Sequence, residues 1–391
     1  MKLFFIKVLV TALLVLAFVP LFNYFIDPLD IFNSPSVRYV NAKKPMIEEN
    51  LRTWKTYKLD NKPEVIFLGT SRTHVGLDPS NKNFEGQKTF NCALYTGLPY
   101  EYEYFFDKAL KSGNLKTVII GLDFFAFYHK MLFQDDFKRE DFTGNAKYKY
   151  LFSSSVFLKS ISTVQKQSNI SRFIPNGMGN SLAYQQDVYN LGGHGELFRI
   201  GARNYVTKAY SEKKELNMSQ VAHLQAFERI LDKAYKNNIK VILFISPSHA
   251  RQWEALDVAL GMDKWENWKK KIILINEKAA SDNNKTPFLL WDFSGYSTFT
   301  MEEIPPVGDI KAKMGWYWDA SHYKKELGDI MLDRIFGSNF ANGDKYKDFG
   351  VVLNSQNFDE HISNMKKQRE IWLKKHPAYV EEFEKLRKEV R

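Results

Sequence analysis

Residues 64–72 read Glu64-Val65-Ile66-Phe67-Leu68-Gly69-Thr70-Ser71-Arg72, a short apolar run that stops at a glycine and leads into small hydroxyl residues. A run this short, closed by a turn signal, reads as a strand buried on both faces. The pattern returns at Thr117-Val118-Ile119-Ile120 before Gly121, at Lys240-Val241-Ile242-Leu243-Phe244-Ile245 before Ser246-Pro247, and at Pro287-Phe288-Leu289-Leu290-Trp291. Helical stretches separate these runs: Tyr100 to Ser112, Ser219 to Asn237 and Trp265 to Ala280, the second with Val221, Leu224, Phe227, Ile230, Leu231 and Ala234 on one face. The alternation predicts an α/β fold with a parallel sheet covered on both faces. Such a sheet carries its site at the carboxyl ends of its strands.

Outward from this core the chain changes character. Residues from about Phe133 to Met218 are rich in Ser, Asn, Gly and Tyr and too many for a bare loop, which predicts an insertion folded over the sheet edge. Residues 27–60 read as a juxtamembrane connector, polar and helical from about Ser34, and 61–340 as the main domain. Residues 341–391 read as a charged helical tail, in which Trp372, Tyr379 and Phe383 are expected to face a core.

The first 26 residues read as a membrane anchor. Val8 to Ile26 is nineteen positions without a formal charge, close to what a helix needs to cross a hydrocarbon core of about 30 Å. Lys2 and Lys7 precede it and Asp27 and Asp30 follow it, so the positive-inside tendency places the N-terminus in the cytoplasm and the body outside, periplasmic or extracellular. No small-residue cleavage site follows the run, so one uncleaved span of the plasma membrane is expected.

Composition narrows the class further. The chain has 391 residues, a formal net charge of +10, 44% hydrophobic and 15% aromatic residues, enough for a substantial core and too much for global disorder. One cysteine, Cys92, makes neither an internal disulfide nor a cysteine zinc site. The basic charges are interspersed rather than blocked, which describes a solvated surface. An exported body meets lipid headgroups and envelope polymers, not nucleic acid. No G-x-G-x-x-G or Walker loop is present, no metal site is read, and no cofactor is expected.

Two short segments carry candidate chemistry. Ser71, in the turn at the carboxyl end of the first strand, has a backbone N–H placed to help bind an oxyanion; a serine that only caps a helix is the competing reading. Asp319-Ala320-Ser321-His322 precedes the helical stretch Tyr323 to Phe336. At that offset a carboxylate folds back on the imidazole, fixing its tautomer and stabilising the imidazolium formed when it takes a serine proton. Serine early and Asp/His late is the order that a serine esterase on a parallel sheet needs. The candidate catalytic residues are therefore Ser71, His322 and Asp319.

On these residues the chain resembles the SGNH (GDSL) hydrolase-like superfamily. It looks closest to the membrane-anchored bacterial branches that include alginate O-acetyltransferase-like envelope proteins and the D-alanylation protein of teichoic acid. The resemblance runs from about Glu64 to Phe336 and rests on short blocks. Gly69-Thr70-Ser71-Arg72 stands where the family has Gly-Asp-Ser, and Asp-x-x-His is intact. It implies a flavodoxin-like three-layer fold and an oxyanion or substrate role for Asn91 and Gly97, in Phe90-Asn91-Cys92-Ala93 and just beyond. The family's Gly-x-Asn-Asp block falls at Gly121-Leu122-Asp123-Phe124, so Asp123 replaces an amide donor. An ionised carboxylate has no proton to donate. Either Asp123 is protonated, or it holds Arg72 or plays some other part, or the oxyanion hole is built differently.

The resemblance implies extracytoplasmic transfer of an acyl group, acetyl in the nearest branches, to a hydroxyl of an envelope or secreted polysaccharide. It also implies a membrane-bound O-acyltransferase as partner. Two alternatives use the same residues: an esterase acting on such substrates, and a catalytically inactive accessory protein. Other candidates are His74 and Arg72 as contacts for an anionic or sugar substrate, His249 as a substrate ligand or a locally bonded loop residue, and Trp316, Tyr317 and Trp318 as a sugar-stacking platform or ordinary packing.

Overall fold

The run at 65–68 is a strand in which every side chain is buried, and the elements around it account for most of the chain. The computed structural model describes residues 1–137, 146–212, 217–337, 346 and 348–390. In chain order, α1 (Lys2–Ile26) and α2 (Leu51–Lys58) precede β1 (Val65–Leu68), α3 (Ser71–Gly76), β2 (Thr89–Asn91), α4 (Pro99–Lys111), β3 (Thr117–Leu122) and α5 (Phe124–Phe127). Then come α6 (Ser154–Gln165), α7 (Ser181–Asn190), α8 (His194–Glu212), α9 (Asn217–Lys236), β4 (Lys240–Ile245), α10 (Ala250–Leu260) and α11 (Met262–Asp282). The chain closes with β5 (Leu290–Asp292), α12 (Lys325–Phe336), β6 (Val351–Val352), α13 (Phe358–Lys375) and α14 (Pro377–Val390).

The chain divides into two compact units, one made of Met1–Asn61 with Asp135–Ile174 and the other of Lys62–Gln134 with Pro175–Arg391. In the first unit, α1 is long and apolar enough to cross a membrane. It ends at Asp27, which adopts a left-handed backbone and accepts hydrogen bonds from the Ile31 and Phe32 amides at 2.9 and 3.0 Å.

The second unit is a mixed α/β structure on a six-stranded sheet of order β2-β1-β3-β4-β5-β6. The first five strands are parallel and β6 is antiparallel to β5. Phe67, Ile119 and Ile242 lie in register across β1, β3 and β4, and with Val65 and Phe244 they form one core with Leu327, Met331 and Leu332 of α12. The intervening Ile66, Leu68, Val118, Ile120, Val241 and Leu243 are equally buried, and α4 and α9, packed on each other, contact β1 and β4. Both faces are thus covered, which is why these strands read as continuous apolar runs. The connection after β1 leads to β2 on one side and the connection after β3 to β4 on the other, so the strand order reverses between β1 and β3 and opens a crevice at their carboxyl ends. Two glycines allow α3 to start there. A Cβ on Gly69 (φ 154°) or on Gly121 would sit 2.2 or 2.0 Å from the Thr73 hydroxyl.

Several boundaries differ from those expected. The fourth strand is Leu290–Asp292, not 287–291, because Pro287 has no N–H for a ladder flanked on both sides. The connector is helical only from Pro45. The expected insertion is not one body: 135–174 belongs with the N-terminal segment and 175 onward with the sheet. The tail is integral to the sheet unit. Trp372 and Phe383 are buried, Arg369 makes a two-pronged contact with Glu254 at 2.8 and 2.6 Å, and Arg251 meets Glu382 at 2.6 Å. The expected boundary at 340 lies outside the described residues.

Candidate active site

Ser71 is the first residue of α3, directly after β1, and Thr70 caps that helix by accepting the Arg72 amide at 3.3 Å. The segment bearing His322 and Asp319 is pinned by a Tyr317–Tyr323 bridge and by the Trp318 amide bonding to the His322 carbonyl at 2.9 Å. One oxygen of Asp319 accepts the Ser321 and His322 amides at 2.7 and 2.9 Å, and the other lies 2.8 Å from His322 Nδ1. His322 Nε2 is 2.8 Å from Ser71 Oγ. With its proton on Nδ1, held by Asp319, the neutral imidazole presents Nε2 as an acceptor for the Ser71 hydroxyl. Burial works to raise the Asp319 pKa, but His322 and the two backbone amides outweigh it and hold the carboxyl below its usual range. All three side chains are half-buried, and Ser71 opens on a cavity.

Beside Ser71, Arg72 is buried and fully engaged. Its Nη1 is 3.7 Å from Asp123 Oδ1, its Nε donates to Ser248 Oγ at 3.0 Å and its Nη2 to the Tyr205 hydroxyl at 2.8 Å. Tyr205 in turn lies 3.0 Å from Ser321 Oγ, next to His322. Burial disfavours the guanidinium charge, but Tyr205, Asp123 and Asp319 outweigh it and raise the Arg72 pKa. The second oxygen of Asp123 accepts the Thr70 hydroxyl at 2.5 Å. Of the three alternatives for Asp123, the geometry matches the one in which it holds Arg72.

Two other expected residues turn away from the reacting centre. Asn91 is completely buried, its amide donating to the Thr73 and Leu77 carbonyls at 3.1 and 3.0 Å and its oxygen accepting the Ala93 amide at 2.9 Å. It clamps the end of α3 and has no group left for an oxyanion. Gly97 lines the space above Ser71, but its N–H bonds to the Leu94 carbonyl at 3.2 Å.

That space is a cavity of about 250 Å³ lined by Thr70, Ser71 and Arg72, by Thr96, Gly97 and Leu98, by residues of α5 and its exit, and by Leu260. Its remaining wall is the α8 face carrying Asn204, Tyr205, Lys208 and Ala209. Leu98, Phe125, Ala126, Ala209 and Leu260 make most of that wall apolar. Asn204, exposed on α8, is the one carboxamide among these lining side chains. The α8 residues were not legible as site residues, because no motif links them to Ser71 in sequence.

The remaining candidates are structural. His74 is buried against the Tyr95 ring at 5.1 Å. His249 caps α10 by accepting the Arg251 amide at 3.2 Å and donates from Nε2 to the Glu302 carbonyl at 2.7 Å; burial lowers its pKa to about 3. Tyr317 is buried with its hydroxyl on the Pro247 carbonyl at 2.6 Å, Trp316 packs on Phe299 and Trp318 near Tyr184. A second charged cluster closes the end of β5, where buried Lys269 meets Asp292 at 2.5 Å and His361 contacts the same carboxyl oxygen at 2.9 Å. Among the described residues, no three of His, Cys, Asp or Glu are grouped to hold a metal ion.

No family model and no curated protein matches this chain.

Proposed function

We propose that this chain is a membrane-anchored serine acyl-transfer enzyme of the SGNH hydrolase-like kind. The observation that carries the reading is the continuous relay from Ser71 Oγ through His322 to Asp319, with both hydrogen bonds at 2.8 Å. The strand order β2-β1-β3-β4-β5, which is the flavodoxin-like order, and the position of the serine at the point where it reverses support the fold assignment.

In this reading Ser71 Oγ attacks the carbonyl carbon of an acyl ester or thioester while His322 Nε2 takes its proton. Asp319 stays ionised and stabilises the imidazolium. The Ser71 N–H is one donor for the developing oxyanion, and Asn204, the carboxamide among the side chains lining the same cavity, is the residue we assign as the second, in place of the donor that Asp123 is not. As the tetrahedral adduct collapses, the leaving oxygen or sulfur takes the proton from His322 and acyl-Ser71 remains. An acceptor hydroxyl then gives its proton to His322 and attacks the acyl-serine, and as this second adduct collapses His322 returns the proton to Ser71 Oγ and the new ester leaves. The acyl chain occupies the apolar cavity. An envelope or secreted polysaccharide is the acceptor and a membrane-bound O-acyltransferase the acyl source, both by resemblance. The charges flanking α1 orient the body outward.

Water reaches the same half-exposed His322, so hydrolysis is the second reading. Incubating the full-length protein with p-nitrophenyl acyl esters, with and without an oligosaccharide acceptor, separates the two. An acyl adduct in the intact mass that Ser71→Ala loses supports the common intermediate, and turnover that persists undiminished in Ser71→Ala contradicts both.

A further inference from the structure

Within the first unit, the last turns of α1 do not stand alone. The Phe157 ring of α6 lies 6.3 Å from Phe18 and 5.5 Å from Phe22. Asn23, completely buried, donates to the Leu151 and Ser153 carbonyls at 2.9 and 3.3 Å and accepts the Ser160 hydroxyl at 2.9 Å. Residues 146–165 are thus fastened to a defined height on the helix. Phe18 precedes Ile26 by eight residues, about 12 Å of helix. The uncharged stretch Val8 to Ile26 has no length to spare if it crosses a core of about 30 Å. Phe18 and Phe22 then lie inside the hydrocarbon boundary, and the α6 face docked on them lies beside that boundary.

The surface of this segment fits that depth. At about 3.6 residues per turn, Val156, Ser160 and Thr163 form the buried stripe of α6 and Phe157, Leu158, Ile161 and Val164 an adjoining apolar stripe. Ser155, Lys159 and Ser162 take the remaining side, with Lys159 donating to Asn50 Oδ1 at 2.7 Å, while Ser154 and Gln165 flank the apolar stripe at the two ends of the helix. Leu158 is 64% and Phe152 70% exposed, and Val164 on the stripe of Leu158 is exposed as well, so the apolar exposure here is grouped rather than scattered singly. Tyr148, exposed, stands between Lys147 and Lys149. An apolar stripe next to a polar one, with aromatics and lysines at its edge, is the distribution of a helix lying in a membrane interface.

We infer that residues 146–165 are a second membrane contact, an in-plane collar beside α1. Its apolar stripe enters the acyl-chain boundary, and Lys147 and Lys149 meet anionic headgroups. The inference rests on α1 as a span and is independent of the chemistry at Ser71.

The test uses the full-length chain in vesicles of phosphatidylcholine and phosphatidylglycerol. Cys92, which is buried, is replaced by Ser, and single cysteines at Phe152→Cys, Leu158→Cys and, on the polar side, Lys166→Cys carry an environment-sensitive NBD label. The collar predicts blue-shifted emission at 152 and 158, and quenching by shallow nitroxide lipids at least twofold stronger there than at 166. Water-like emission at all three overturns it. A blue shift without lipid quenching also overturns it, since protein, such as a second copy, would then be the cover. The unaltered chain supplies an independent readout: a diazirine phospholipid should crosslink within 146–165 as well as within α1, and crosslinks confined to α1 contradict the collar.

Discussion

Arg72 and Asp123 form an ion pair sealed from water one residue away from Ser71, with Nη1 3.7 Å from Oδ1 and side chains 5% and 4% exposed. The pair explains why a carboxylate stands where the resemblance calls for an amide. Its charge serves a guanidinium that also fixes Ser248 and, through Tyr205, the loop of His322. Asp123→Asn keeps an acceptor for Thr70 but leaves the buried guanidinium without its counter-charge. It should lower unfolding stability by about 3 kcal/mol and leave Ser71 labelling no stronger than in the wild type. Thermal or denaturant unfolding checks this; an equally stable, more reactive variant would mean that Asp123 suppresses an oxyanion hole.

Asn204 replaces the missing donor in this account. Asn204→Ala should reduce kcat on an acyl ester about 100-fold with little change in KM, the cost of one oxyanion donor. Steady-state kinetics decide it, and a raised KM with unchanged kcat would make Asn204 a ground-state contact only.

The cavity sets acyl length. An apolar cavity of about 150 Å³ holds a benzene ring, and this one is about 250 Å³, so hexanoyl esters should react as well as acetyl esters. Ala209→Leu, which fills the wall, should cut the hexanoyl-to-acetyl ratio of kcat/KM about tenfold, in line with about 0.8 kcal/mol per methylene displaced. A ratio that does not move would place the acyl chain elsewhere.

Acid should destabilise the fold well before the carboxylates titrate. Burial lowers the pKa of His249 to about 3 and of His223 to about 4, against about 6.5 in an unfolded chain. Between those values the unfolded state binds more protons than the native state, so stability falls as pH drops below about 6.5. Two such groups give a slope approaching about 2.7 kcal/mol per pH unit near pH 5. Denaturant midpoints from pH 7 to 5 measure it. His249→Asn, which retains a capping side chain, should flatten the slope; an unchanged slope would show that these imidazoles are not the cause.

The apolar runs of β1, β3 and β4 were legible because buried parallel strands leave no polar alternation to obscure them. The strand Thr89–Asn91 was not, having three residues and only one large apolar side chain. The helix Ala250–Leu260 was also unread, because only Gly261, at φ 89°, separates it from the next helix, and a single glycine marks the break weakly in sequence. At the site, Asp319 and His322 could be paired from sequence because their contact is local. Placing Ser71 beside them needed only the expected strand ends. Asn204, Tyr205 and Ala209 reach the cavity through a long-range packing of α8 that no local spacing encodes. Asn91 misled for the opposite reason: its motif position was right for a site, but its amide is spent on the carbonyls that end α3.

The central claim is an activated serine, and a fluorophosphonate probe on the full-length protein tests it most directly. The wild type should label at Ser71. Ser71→Ala and His322→Ala should abolish the label while retaining the wild-type unfolding midpoint, and Asp319→Asn should slow labelling by several orders of magnitude. A folded wild type that takes no label, or a label that survives Ser71→Ala, would contradict the account.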